Sequence, residues 1–259
     1  MAKLKVTILN FHSLFSHLEI LLEDTSTTPS TYYVINQWDP AQSAFTNRIS
    51  GAIGSKYQEE ASSTFSFEIE EDPKEIIKAW RDYQRKTLPD ACISSYNCAD
   101  AGQWFLNKYA HVPNPRPFAP PYTVNHVIMG IFLPSYMPIG ITLPGRIMDN
   151  AKFHINARKI PDHAPRFSDL SLKIGIAVAA FAIAACIAGI IAASIFLTGG
   201  LSALVITSCV VAGALSTNGL FKPANVLAAR NIAKDVKNPG NYPDKCSTRT
   251  ASEPLQCSV

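Results

Sequence analysis

The chain has 259 residues, 47% of them hydrophobic and 17% charged, which is enough for one soluble domain plus a membrane segment. The net charge of +3 is too small to argue for a nucleic-acid partner. The averages hide two unlike regions: residues 1 to about 118 have an ordinary soluble composition, whereas Ile174–Phe221 carries no charged side chain at all.

The N-terminus has two lysines followed by a short apolar run. His12 and His17 interrupt that run and no small-residue cleavage site follows, which argues against a secretory signal. Lys3–Phe11 reads as a strand through Val6, Ile8 and Leu9. Ser16–Asp24 alternates, with Leu18, Ile20 and Leu22 on one face and His17, Glu19 and Leu21 on the other, so it predicts a strand with one buried face. Thr25–Ser30 is a turn cluster, and Tyr32–Trp38 is β-branched and aromatic, hence a third strand. Thr64–Glu70 alternates again, with Phe65, Phe67 and Ile69 inward. Asp72-Pro73 is a helix start, Asp as N-cap and Pro at the first helical position. Ile76, Ile77, Trp80 and Tyr83 form that helix's apolar stripe. Asn97–Tyr109 predicts a second helix with Ala101, Trp104, Phe105 and Tyr109 inward.

Prolines crowd the stretch from Pro113 to Pro144, so residues 119–172 are assigned to irregular or linker structure. Ile174–Phe221 is long enough for two membrane crossings of about 20 residues each, with Thr198-Gly199-Gly200 as the break. The expected spans are Ile174–Leu197 and Leu201–Phe221. Small residues at Ala185, Gly189 and Ala193, and at Ser208, Ala212 and Ser216, are expected to line the contact between them. The competing reading, a hairpin buried in a soluble core, would need a partner domain to cover it. Arg158, Lys159, Arg166 and Lys173 precede the hairpin and Lys222, Arg230, Lys234 and Lys237 follow it. The positive-inside rule therefore puts both the N-terminal domain and the tail on the cytoplasmic side. Pro223–Val259 reads as a polar tail with a short helix near Ala224–Val236. The expected division is thus 1–118 for the chemistry-bearing domain, 119–172 for the linker, 173–222 for the hairpin and 223–259 for the tail.

Six cysteines are present, and none forms a C-x-x-C pair. That spacing suits neither zinc nor a disulfide scaffold. Cys257 is third from the last residue, where a prenylation box needs it fourth. The histidines show no metal spacing, and neither a phosphate loop nor a G-x-S-x-G elbow occurs, so no cofactor is expected.

One constellation carries chemistry. Tyr96-Asn97-Cys98-Ala99-Asp100 opens a helix, and a cysteine in the first helical turn feels the positive end of the dipole, which favours thiolate. A nucleophilic cysteine also needs a base and often a third group to orient that base. His17, on the polar face of its strand, is the candidate base. Asn36, on the neighbouring strand, is the candidate orienting group, with Tyr33 and Glu19 as substitutes and His12 nearby in sequence.

The order of these motifs resembles the permuted NlpC-type papain-like superfamily, which includes the lecithin:retinol acyltransferases, the phospholipase–acyltransferases and deubiquitinase-like peptidases. Ser16-His17-Leu18-Glu19-Ile20-Leu21 is similar to the strand bearing that family's catalytic histidine. Tyr33-Val34-Ile35-Asn36 is similar to the next strand, where the acyltransferases usually have a second histidine in the place of Asn36. Asn97-Cys98-Ala99-Asp100 resembles the nucleophile motif. The similarity runs from about Lys3 to Tyr109, with a longer loop at Thr25–Ser30 than the family's tight turn.

The resemblance implies an α+β fold, a small antiparallel sheet with helices in the permuted papain-like arrangement, followed here by the transmembrane hairpin. It implies a cysteine hydrolase or acyltransferase working through a thioester on a membrane lipid ester or on the amide of a membrane-associated protein. The alternative is a non-catalytic membrane effector or adaptor that uses the same domain to bind a partner.

Overall fold

The computed structural model describes residues 2–11, 17–35, 58–87, 97–116, 118–125, 143–160, 167–196 and 199–237. Among them are the strands β1 (Ala2–Phe11), β2 (His17–Asp24), β3 (Thr31–Ile35) and β4 (Ser63–Glu71). The helices are α1 (Pro73–Thr87), α2 (Cys98–Ala110), α3 (Pro144–Arg158), α4 (Asp169–Phe196) and α5 (Gly200–Lys237). The chain divides into two units, one built on Met1–Pro115 with most of α3, the other holding α4 and α5.

In the first unit the strands form one antiparallel sheet in the order β3-β2-β1-β4. The fold class is therefore α+β with a small antiparallel sheet, as the alternation predicts. The registers Val6↔Leu22 and Ile8↔Ile20 put the aliphatic side chains of the two central strands side by side on one face. That face is buried with Phe67, with Ile76 and Trp80 of α1, and with Phe105 and Leu106 of α2. Removing each such side chain from water is worth about 1.5–3 kcal/mol. The Asp72-Pro73 signal works as expected: Asp72 Oδ1 accepts the Lys74 N–H at 2.8 Å.

Two features of this unit differ from the sequence expectation. First, β2 is buried on both faces, not one. Leu21 packs with Leu9, Tyr32 and Val34 in a second cluster, and Glu19 is only 4% exposed. Alternation tells which residues share a face but not whether that face is covered. Second, residues 144–158, within the stretch read as irregular or linker, form α3. Ile147, Met148, Ala151 and Ile155 lie at helical spacing and join the main core. Asn150 Nδ2 donates to the Pro113 carbonyl at 2.7 Å, so the segment leaving α2 is tied to α3. The third strand ends at Ile35, and residues 36–38 of its expected range lie outside the described residues.

In the second unit α4 has 28 residues and α5 has 38, and both are long and apolar enough to cross a membrane. Large apolar side chains such as Phe181, Phe196, Leu204 and Leu215 point outward, with Phe196 80% exposed. A hairpin buried in a soluble core would show the reverse. Gly199, at φ +73°, makes the turn between the helices in a conformation that glycine adopts without strain.

The helices are antiparallel, and small residues meet between them. A Cβ on Gly213 would lie 3.8 Å from Cys186 Cβ, one on Gly219 3.8 Å from Ala179 Cβ, and one on Gly189 2.9 Å from Cys209 Sγ. Leu172, Ala179, Cys186 and Ala193 thus form an inward row on α4 at seven-residue spacing, the repeat of left-handed helix packing. Gly189, Ala193 and Ser216 lie on the less exposed side as expected, but Ala185, Ser208 and Ala212 face outward. Asp169 closes the open end of the hairpin against Arg230 and Lys234, at 2.8 and 3.2 Å.

The expected break at Pro223 does not occur. Helix α5 runs through it to Lys237, so the short helix expected near Ala224–Val236 is the continuation of the second apolar helix. Proline there removes one hydrogen bond to the carbonyl four residues back, a loss that neighbouring helices make tolerable in apolar spans.

Candidate active site

Helix α2 begins at Cys98 because Asn97 caps it. Asn97 Oδ1 accepts the Ala99 and Asp100 N–H groups at 2.8 and 3.1 Å, and Asp100 Oδ2 accepts the Asn97 N–H at 3.1 Å. This reciprocal box fixes the first turn. The Asn97 carbonyl takes the Ala101 N–H at 3.1 Å. Among the described residues, Cys98 therefore holds the one amide of that turn that capping does not consume. The Cys98 side chain is at the positive end of the helix and is 7% exposed.

Helix α2 reaches the sheet through Gly102, one turn beyond Cys98. A methyl group there would overlap Leu18 Cδ2, so only glycine lets helix and strand approach this closely. Leu18 follows His17 in β2, and the close approach brings the first turn of α2 to the start of that strand. His17 and Cys98 are consequently brought near enough for the thiol side chain to act on the protonation of the ring. His17 sits opposite Phe11 in the β1–β2 register, with ring centroids 6.3 Å apart.

The other contact of the His17 ring is with Glu19. Nε2–H donates to Glu19 Oε1 at 2.8 Å, and the two side chains are 21% and 5% exposed. Both belong to β2 two positions apart, so they stand on the same face. Burial is the largest influence on the imidazole and presses it toward neutrality. The hydrogen bonds to Cys98 and Glu19 and the charges of both groups outweigh it, and hold the His17 pKa up at about 9.

Of the three residues singled out by the sequence, the structure brings Cys98 and His17 together. Asn36 lies outside the described residues, as do His12 and Cys92. The residue found on the ring is Glu19, which the sequence offers only as a substitute for Asn36. Its sequence signal is a His-x-Glu pair leading into the apolar run Ile20-Leu21-Leu22: a carboxylate there needs a partner, and the histidine two residues away is in reach.

Comparison with known protein families, with curated proteins and with solved structures finds no match for the chain.

Proposed function

We propose that the protein is a membrane-anchored thiol hydrolase or acyltransferase in which Cys98 is the nucleophile and His17 its acid–base partner. The observation that carries the reading is the placing of His17 beside a cysteine in the first turn of a capped helix. An imidazolium beside a thiol, at a helix N-terminus, is the setting in which cysteines act as nucleophiles. Cys98 Sγ, its thiol proton already passed to His17, attacks an acyl carbonyl, and the developing oxyanion is stabilised by the Cys98 N–H that the capping box leaves over. His17 gives its proton to the departing alkoxide or amine, leaving a thioester on Cys98. Water or an acceptor alcohol or amine then resolves the thioester, its proton passing to the now neutral His17. Asn36 stays in this reading as a residue that helps orient the imidazole. The reading is the one that the permuted papain-like resemblance of Lys3–Tyr109 implies.

In the same reading α4 and α5 insert in a bilayer as a hairpin, with the basic residues around both outer ends on the cytoplasmic side. Substrates at that surface are membrane lipid esters or amides of membrane-associated proteins.

A small cysteine-directed acyl probe tests the site. It is expected to label Cys98 in the wild-type chain and to leave His17→Ala unlabelled under the same conditions. Absence of labelling in the wild type would favour the effector or adaptor reading. Alkaline carbonate extraction tests the anchor: the intact chain stays in the membrane pellet, and its release would refute insertion. Accessibility of the two outer ends from opposite sides would refute the hairpin.

A further inference from the structure

A buried carboxylate is costly unless a partner meets it. Glu19 lies beside Leu9, itself fully buried, in the β1–β2 register, and its side chain is 5% exposed. Its Oε1 stands 2.8 Å from His17 Nε2. A ring held by Nε2–H to a fixed acceptor keeps one orientation. Cys98 also acts on this ring. A neutral amide such as Asn36 would orient the ring without favouring its charged form, whereas a carboxylate does both.

We infer that Glu19 is the positioning residue of the site, holding the His17 ring toward Cys98 and favouring its charged form. The inference rests on the thiol-enzyme reading for its meaning but not for its test. The raised proton affinity of His17 agrees with it. Among the described residues the ionisable groups acting on the ring are Glu19 from its own strand and Cys98 from α2, while β1 contributes the Phe11 ring. In this arrangement the resting enzyme carries imidazolium between carboxylate and sulfur. His17 then enters the reaction as the acid that protonates the leaving group. The alkaline limb of the pH–rate profile is therefore the titration of His17, and Glu19, together with Cys98, sets where it falls.

The test uses the full-length chain in lipid nanodiscs, with histidine-ring NMR resonances followed against pH and His17 assigned by its loss in His17→Gln. The wild-type His17 midpoint is expected near 9. Glu19→Gln should lower it by about one unit or more, a tenfold or greater loss of proton affinity, and Glu19→Asp should recover part of the shift. The alkaline limb of kcat/KM on a soluble thioester should move with it. A packing role alone would change thermal stability in Glu19→Gln without moving either midpoint. A wild-type midpoint near the ordinary histidine value, or one that stays in place in Glu19→Gln, would overturn the inference. Should Glu19→Gln fail to fold, the wild-type and Glu19→Asp midpoints decide. The titration needs no substrate, so it speaks for Glu19 even if the acyl probe leaves Cys98 unlabelled.

Discussion

Replacing Gly102 by alanine tests how the site is assembled without touching a reacting group. In most helices the change stabilises by about 1 kcal/mol, because glycine loses more backbone freedom on folding. Here the new methyl meets Leu18 Cδ2, and Leu18 is 1% exposed and has little room to turn away. Forcing one extra carbon into such packing costs about 1–3 kcal/mol. The net expectation is a loss of roughly 0–2 kcal/mol, with α2 displaced outward from β2. Cys98 rides on the displaced helix and His17 adjoins Leu18 on the strand, so relief of the clash lengthens the Cys98–His17 contact. A misplacement of about 1 Å between reacting groups costs on the order of a hundredfold in rate. The assay is the rate of Cys98 labelling by the acyl probe, alongside thermal unfolding of the same preparation. The labelling rate should fall far more than the stability loss accounts for. Adding Leu18→Val, which removes the δ-carbons, should restore labelling, giving a coupling between the two substitutions that independent sites would not show. Gly102→Ala that is more stable than wild type and labels at the wild-type rate would refute the close approach and the route by which it places Cys98.

The hairpin register predicts that Gly213→Cys, made with Cys209→Ser, forms a disulfide with the native Cys186 under mild oxidation, since the Cβ separation of 3.8 Å is in the range disulfides need. Cysteine at the outward-facing position 212 should not cross-link within the chain, and equal cross-linking at both positions would refute the register. The His17 pKa lies above its ordinary 6.5, at about 9, so its contribution to stability is complete below about pH 6.5 and is lost as pH rises through 9. The difference in melting temperature between wild type and His17→Gln should therefore shrink across that window, and a difference constant from pH 6 to about 10 would refute the assignment. Cys98→Ala and His17→Ala should each lower turnover of a soluble thioester by about a thousandfold or more while leaving the anchor intact, because nucleophile and base act as one unit. Asn36→Ala should keep measurable activity, and wild-type turnover in Cys98→Ala would end the cysteine-enzyme reading.

The parts of the fold legible in the sequence are those where one local rule decides. Period-two alternation in Thr64–Glu70 gives a strand because it shows a buried and a less buried side. The Asp72-Pro73 and Asn97-Cys98 starts are legible because capping is a matter of three or four consecutive residues. Helix α3 escapes because its start at Pro144 closes a run of prolines and its inward positions include Arg146 and Asn150, 6% and 2% exposed, which blur the apolar stripe. The faces of the hairpin escape for a different reason. In a segment so rich in alanine and glycine many faces offer small residues, and composition alone does not choose among them. What chooses is where the two helices interlock: Cys186 against Gly213 and Cys209 against Gly189.

Glu19 marks the limit of pattern reading at the site. Alternation assigns it with His17 to the polar face of β2, and a polar face is ordinarily solvated, which would make an adjacent carboxylate and imidazole a weak, screened pair. The second buried cluster, Leu9 and Leu21 with Tyr32 and Val34, changes the physics of that face. Once water is removed, the same two residues interact strongly, and a group offered by the sequence only as a substitute orienting residue joins Cys98 in favouring the charged ring. The long-range contacts that cover the face are the missing information. The residues that respond to it, a histidine and a glutamate two apart on one strand, are already visible in the sequence.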